Sequence, residues 1–133
     1  MTAEEVRRMN TSTLAYVGDA VYELMIRKMI VKKNASNVDK AHKAAIKYVS
    51  AEGQATAARA MMNDGFLTDE EVALLKRARN HRTMSKPSGA DIRNYKIATG
   101  FEALLGYMHL ADDNNRLEAV VLEAVRIIDD QEN

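Results

Sequence analysis

A chain of 133 residues, 47% apolar and 29% charged, is long enough for one hydrophobic core and too apolar for disorder. Nineteen basic residues balance nineteen acidic ones, so the net charge by itself names no polyanionic partner, and the absence of cysteine excludes disulfides and thiolate metal sites. No run of about eighteen apolar residues exists to cross a membrane, and the polar start "MTAEEVRRMN" argues against a secretory or transit peptide, so a cytoplasmic setting is expected.

The sequence reads as helices almost throughout, with Pro87 its only proline and no convincing period-two run. "TAEE" at 2–5 is a capping box and predicts a short helix over about 3–9. Thr11 or Ser12 is expected to cap a long second helix to about Lys33. Ser36 with Asp39 opens a third, whose Val38, Ala41, Ala45 and Val49 follow helical spacing. Ser50 caps a fourth that stops at "NDG", 63–65, and the capping box "TDEE" at 68–71 starts a fifth. The segment 80–91, rich in Ser, Pro and Gly, is the one long loop. Asp91 caps a sixth helix to about Ala111, and "DDNN" leads into a last one over 115–129. The expectation is a single all-α domain of about seven helices.

Two carboxylates stand out against this pattern. In "LAYVGDAVYEL", 14–24, Gly18 and Asp19 interrupt an amphipathic helix, and glycine there costs roughly 0.5–1 kcal/mol relative to alanine. Leu14, Val17, Val21, Leu24 and Met25 make the expected core stripe, with Asp19, Glu23 and Arg27 on a polar stripe roughly opposite. Spacing alone reads that stripe as solvated, with Glu23 and Arg27 in a weak ion pair. The sixth helix repeats the design: Ile97, Phe101, Leu104, Leu105 and Met108 form its apolar stripe, and Glu102 lies off it beside Thr99 and Gly106. Two helices crossing at Gly18 and Gly106 would bring Asp19 and Glu102 together. Such a pair repels itself unless it shares a proton or holds a cation, and magnesium suits one or two carboxylates.

These residues carry a family resemblance. "TLAYVGDAVYEL" resembles the signature helix of the ribonuclease III family, and "FEALLGY", 101–107, resembles its second acidic motif. "VSAEGQA", "LLKRARN" and "YKIATGFEALLGY" are similar to segments of that family's mini-ribonuclease III group, and the likeness spans about residues 10–111. It implies an α-helical endonuclease domain over 1–133 without the usual C-terminal double-stranded-RNA-binding domain, acting as a homodimer. Carried over by position, Asp19 matches the essential aspartate and Glu102 the essential glutamate, both catalytic and both ligands of Mg2+. Ser12 and Thr99 stand where most of the family has further carboxylates, which puts a second metal site in doubt.

The reaction implied is hydrolysis of double-stranded RNA to 5′-phosphate and 3′-hydroxyl ends, with the large-subunit (23S) ribosomal RNA precursor as substrate. A ribosomal protein or assembling ribosomal subunit is the further partner considered. The net charge conceals a basic segment: Lys76, Arg77, Arg79, Arg82, Lys86, Arg93 and Lys96 face only Asp91. Lysines and arginines in a last helical turn favour its dipole without any RNA, which accounts for the first three but not for Arg82 and Lys86 in the loop. Lys76, Arg77, Arg79, Asn80, Arg82 and Lys86 are expected to bind RNA, joined by Ser50 and Gln54. His42 and His109 are expected to be ordinary surface residues, and sparse aromatics make single-strand stacking a poor fit. The rival readings are a catalytically weak or inactive RNA-binding scaffold of the same fold in ribosome assembly, and an unrelated helical interaction module.

Overall fold

The computed structural model of the chain describes residues 1–33, 37–81 and 91–131. Among them lie seven helices and no strand: α1 (Ala3–Arg7), α2 (Thr11–Lys33), α3 (Val38–Val49), α4 (Ala51–Asn63), α5 (Asp69–Arg79), α6 (Asp91–Leu110) and α7 (Asn114–Asp130).

Short polar side chains set most of the helix starts. The Thr2 hydroxyl accepts from the Glu5 N–H at 3.1 Å. Ser50 works twice, its N–H donating to the Ile46 carbonyl at the end of α3 and its hydroxyl accepting from the Gly53 N–H at the start of α4. Thr68 and Glu71 form the complete reciprocal box, at 3.1 and 2.9 Å. Two caps differ from expectation. Asn10, just ahead of Thr11 and Ser12, opens α2 by accepting from the Ser12 N–H at 2.7 Å, which leaves Ser12 exposed inside the helix. Asn37 caps α3 by accepting from the Lys40 N–H, while Ser36 lies outside the described residues. Asparagine reaches its own chain two or three residues on as readily as serine does, so neighbouring polar residues compete for a cap.

Helix α6 runs through the centre, packed on α2, α4 and α5, and α7 closes the far side against α4. Its stripe of Ile97, Phe101, Leu104, Leu105 and Met108 is buried as expected. The stripe expected of α2 is only in part the one in the core. Leu14, Ala15, Gly18, Tyr22, Ile26 and Ile30 face inward, Val17, Val21 and Met25 are half-buried, and Leu24 is 59% exposed. A row of residues four apart lets α2 lie close along α6, whereas the expected row shares only Leu14 with it, flanks the core at Val21 and Met25, and turns outward at Leu24. The Tyr22 ring stands edge-on to Phe101, with centroids 5.4 Å apart. Its hydroxyl donates to the Tyr48 carbonyl at 2.9 Å, and the Tyr48 hydroxyl donates to Asp129 at 2.6 Å, so one relay ties α2, α3 and α7. Burial pushes the Tyr22 hydroxyl's pKa well up, with Tyr48 and Glu102 adding to it, so this tyrosine stays a neutral donor.

Candidate active site

The site is built where α2 crosses α6. A Cβ placed on Gly18 would stand 1.7 Å from the Glu102 carbonyl oxygen, and one on Gly106 would stand 1.9 Å from that of Leu14. Only two glycines facing each other let the backbones come this near. The contact puts the residues beside them, Asp19 and Glu102, within hydrogen-bonding reach. Asp19 is exposed at the edge of the helix, while Glu102 is half-buried beneath it. Burial pushes the Glu102 carboxyl up to about 8, and the charge of Asp19 pushes the same way. Glu23 adds a smaller push from the next turn of α2 and is itself held by Arg27 at 3.2 Å. Among the described residues no cluster of three or more acidic or histidine side chains forms, so the acidic centre is this pair. His42, His81 and His109 are all exposed.

The corner between α3 and α4 supplies the floor. A Cβ on Gly53 would meet the Lys47 carbonyl oxygen at 2.0 Å, so the first turn of α4 rests directly on the last turn of α3. Gln54 follows it and points inward. Its Nε2 donates to the Val49 carbonyl at 3.0 Å and to Glu102 Oε2 at 3.3 Å. Gln54, expected among the RNA-binding residues, is only 3% exposed, because the α3–α4 corner turns it inward toward Glu102. Its Oε1 is buried and has no hydrogen-bond partner. Ser50 remains half-buried with its hydroxyl engaged as a cap. Thr99, which stands where the resemblance places a further carboxylate in most of the family, donates to the Tyr95 carbonyl one turn back.

The basic segment divides. Arg79, Asn80, Arg93 and Lys96 line a recess of about 490 Å³ together with Arg59 of α4. Arg59 is fixed by donating to Asn94 Oδ1 at 2.9 Å, and Arg79 donates to Asn80 Oδ1 at 3.1 Å. Lys76 is exposed on α5, and Arg77 lines a second groove of about 790 Å³, shared with Arg7, Arg116 and Tyr107. Arg82 and Lys86 lie outside the described residues. Arg59 escaped the sequence reading because it sits far along the chain from the basic segment; a lone arginine in the alanine-rich run "AEGQATAARAMM" was its one signal.

Comparison with known proteins gives a consistent picture. The family model described as the ribonuclease III domain matches residues 12–113. The Mini-ribonuclease 3 of Enterococcus faecalis is 40% identical over 117 residues, covering 88% of this chain and 89% of that protein. That of Clostridium tetani is 36% identical over 130 residues, covering 97% and 85%. A Fusobacterium nucleatum protein of known crystal structure superposes with a TM-score of 0.79 at 28% identity, over 90% of this chain and 96% of that one.

Proposed function

The chain belongs to the ribonuclease III family, among the mini-ribonuclease 3 proteins, and is a ribonuclease; from this premise we propose that it cuts double-stranded RNA in a magnesium-dependent reaction at Asp19 and Glu102. The observation that carries this reading is the meeting of the two carboxylates across the Gly18–Gly106 contact. A structural protein gains nothing from pressing two acids together. A divalent cation offsets their repulsion, and the buried Glu102 with its single amide donor and the exposed Asp19 form the kind of two-carboxylate, open-sided set that magnesium takes. A cation bound there supplies polarisation of a phosphoryl oxygen and a water of lowered pKa.

The protein's own residues do the rest. Asp19 and Glu102 hold the cation from the exposed and the buried side. Arg59, Arg79, Asn80, Arg93 and Lys96 offer one substrate strand a phosphate path, and Lys76, Arg77, Arg82 and Lys86 are the further phosphate contacts of this reading. A-form RNA presents shape, phosphates and 2′-hydroxyls, and these arginines, lysines and asparagines read such features without stacking. The products are 5′-phosphate and 3′-hydroxyl ends, and the substrate is the large-subunit (23S) ribosomal RNA precursor, met alone or with a ribosomal protein in the assembling subunit.

The enzyme works as a homodimer. Tyr16, Leu24 and Val31 stand 82%, 59% and 52% exposed on α2, away from the row that packs on α6, with Val17 half-buried beside them. An apolar face of this kind on a core helix is suited to a second copy of the chain. The scaffold reading draws on Ser12 and Thr99, where two family carboxylates are absent. Purified protein with a long RNA duplex and Mg2+ separates the two. Cleavage to 5′-phosphate ends that stops on chelation is the expected result, and binding without cleavage would leave a scaffold.

A further inference from the structure

Gln54 satisfies two acceptors and is itself left unsatisfied. The Val49 carbonyl and Glu102 Oε2 both accept from its Nε2, so the amide cannot turn over without setting oxygen against oxygen. Its Oε1 is therefore held in the interior without a partner. An unpaired buried carbonyl costs about 1–3 kcal/mol, and an apolar side chain of equal length would avoid that cost. Stability alone does not account for an amide here.

We propose that Gln54 is a positioning residue: by donating to Oε2 it fixes the Glu102 carboxylate in the orientation that meets Asp19 and a bound divalent cation. The proposal deepens the reading of Asp19 and Glu102 as the metal-holding pair and rests on it. Three features of the corner converge on this role. Ser50 ends α3 and begins α4 with no intervening loop. Gly53 lets the two helix ends touch. Val49 offers the second acceptor, one of the carbonyls a helix leaves free at its C-terminus, so the amide is braced on rigid backbone while it reaches the carboxylate. A neutral donor also suits the position. It steadies the carboxylate without cancelling the charge that the cation needs, as an arginine or lysine would.

The test compares wild type with Gln54→Met, Gln54→Asn and Glu102→Gln. The methionine variant keeps length and removes the donor together with the orphaned carbonyl, so it is expected to melt no lower than wild type. Magnesium and manganese binding is measured by calorimetry without RNA, and kcat and KM are measured on a duplex substrate. Gln54→Met is expected to weaken cation affinity and lower kcat by about 10–100-fold with KM within about twofold, as losing the hydrogen-bond partner of a metal ligand does. Gln54→Asn, one methylene too short to reach both acceptors, is expected to share that signature, and it decides the matter if the methionine variant misfolds. Wild-type cation affinity and kcat in these variants, with Glu102→Gln inactive, overturn the proposal while sparing the acidic pair. A raised KM with unchanged kcat also overturns it, in favour of a direct RNA contact. If Glu102→Gln itself cuts and binds cations like wild type, the reading beneath the proposal fails first.

Discussion

Gly18 shows how one atom can decide a site. Alanine is the better helix former by roughly 0.5–1 kcal/mol, yet its Cβ would lie 1.7 Å from the Glu102 carbonyl oxygen, against backbone that cannot swing aside. Gly18→Ala is therefore expected to destabilise the fold by about 3 kcal/mol or more despite its propensity, measured by chemical denaturation. Glu102 makes the complementary case, a residue that costs stability where it stands. Its carboxyl is pushed up to about 8 in the folded chain, against an ordinary value of 4.5, because it is buried beside Asp19. The folded state thus binds more protons than the unfolded state between those values, so this group's contribution to stability is lost as pH rises through them. Without divalent cations, the melting temperature of wild type is expected to fall by about 10 °C relative to Glu102→Gln between pH 5 and pH 8, on the scale of ~3 kcal/mol. A constant difference between the two across that range would contradict the burial argument.

Among the helices, what could be read in advance was chemistry that acts within a turn or two. Ser50, the Thr68–Glu71 box and the end of α4 at "NDG" follow from local hydrogen bonding, and each lies where its residues predict. The apolar stripe of α6 was legible from its spacing, while the burial of Ala98, Gly100, Ala103 and Gly106 around it follows from the helix's central place between α2, α4 and α5. Helix α2 carries apolar residues on two sides, so spacing gave a stripe without saying that much of it faces outward. Gln54 was singled out as polar but could not be placed, because its direction depends on how α3 meets α4. The start of α7 illustrates the same dependence. Arg116 donates to both Glu71 oxygens at 2.9 and 2.8 Å and to the Phe66 carbonyl at 2.7 Å, and its guanidinium lies 4.8 Å from the Phe66 ring. Burial opposes ionisation of Glu71, but the bonds from Arg116 and Thr68 prevail and hold its carboxyl below the ordinary range. Arg116→Ala leaves that carboxylate and carbonyl unpaired and is expected to cost about 2–3 kcal/mol, with most of the loss absent when Glu71→Gln is already in place. A double-mutant cycle by denaturation checks this.

At the scale of the molecule, the exposed apolar residues of α2 and the basic recess around Arg59 are the two surfaces on which the proposed subunit contact and substrate path rest. Leu24 is exposed on the α2 face, and in the proposed dimer Leu24→Asp would set a like charge on each copy of a twofold interface. The variant is expected to sediment as a monomer with its helix content intact; a dimer of unchanged affinity would place the interface elsewhere. The family assignment rests on residues 12–113, a stretch that runs from α2 to the start of α7 and includes both carboxylates, both close-approach glycines and the α3–α4 corner. What the acidic pair does is settled most directly by one measurement: the rate of duplex RNA cleavage in Mg2+ by wild type, Asp19→Asn and Glu102→Gln, each first verified as folded. The account predicts cleavage by wild type and a loss of about 10³-fold or more in both variants, with RNA binding retained. Asp19→Asn cutting at the wild-type rate would contradict it.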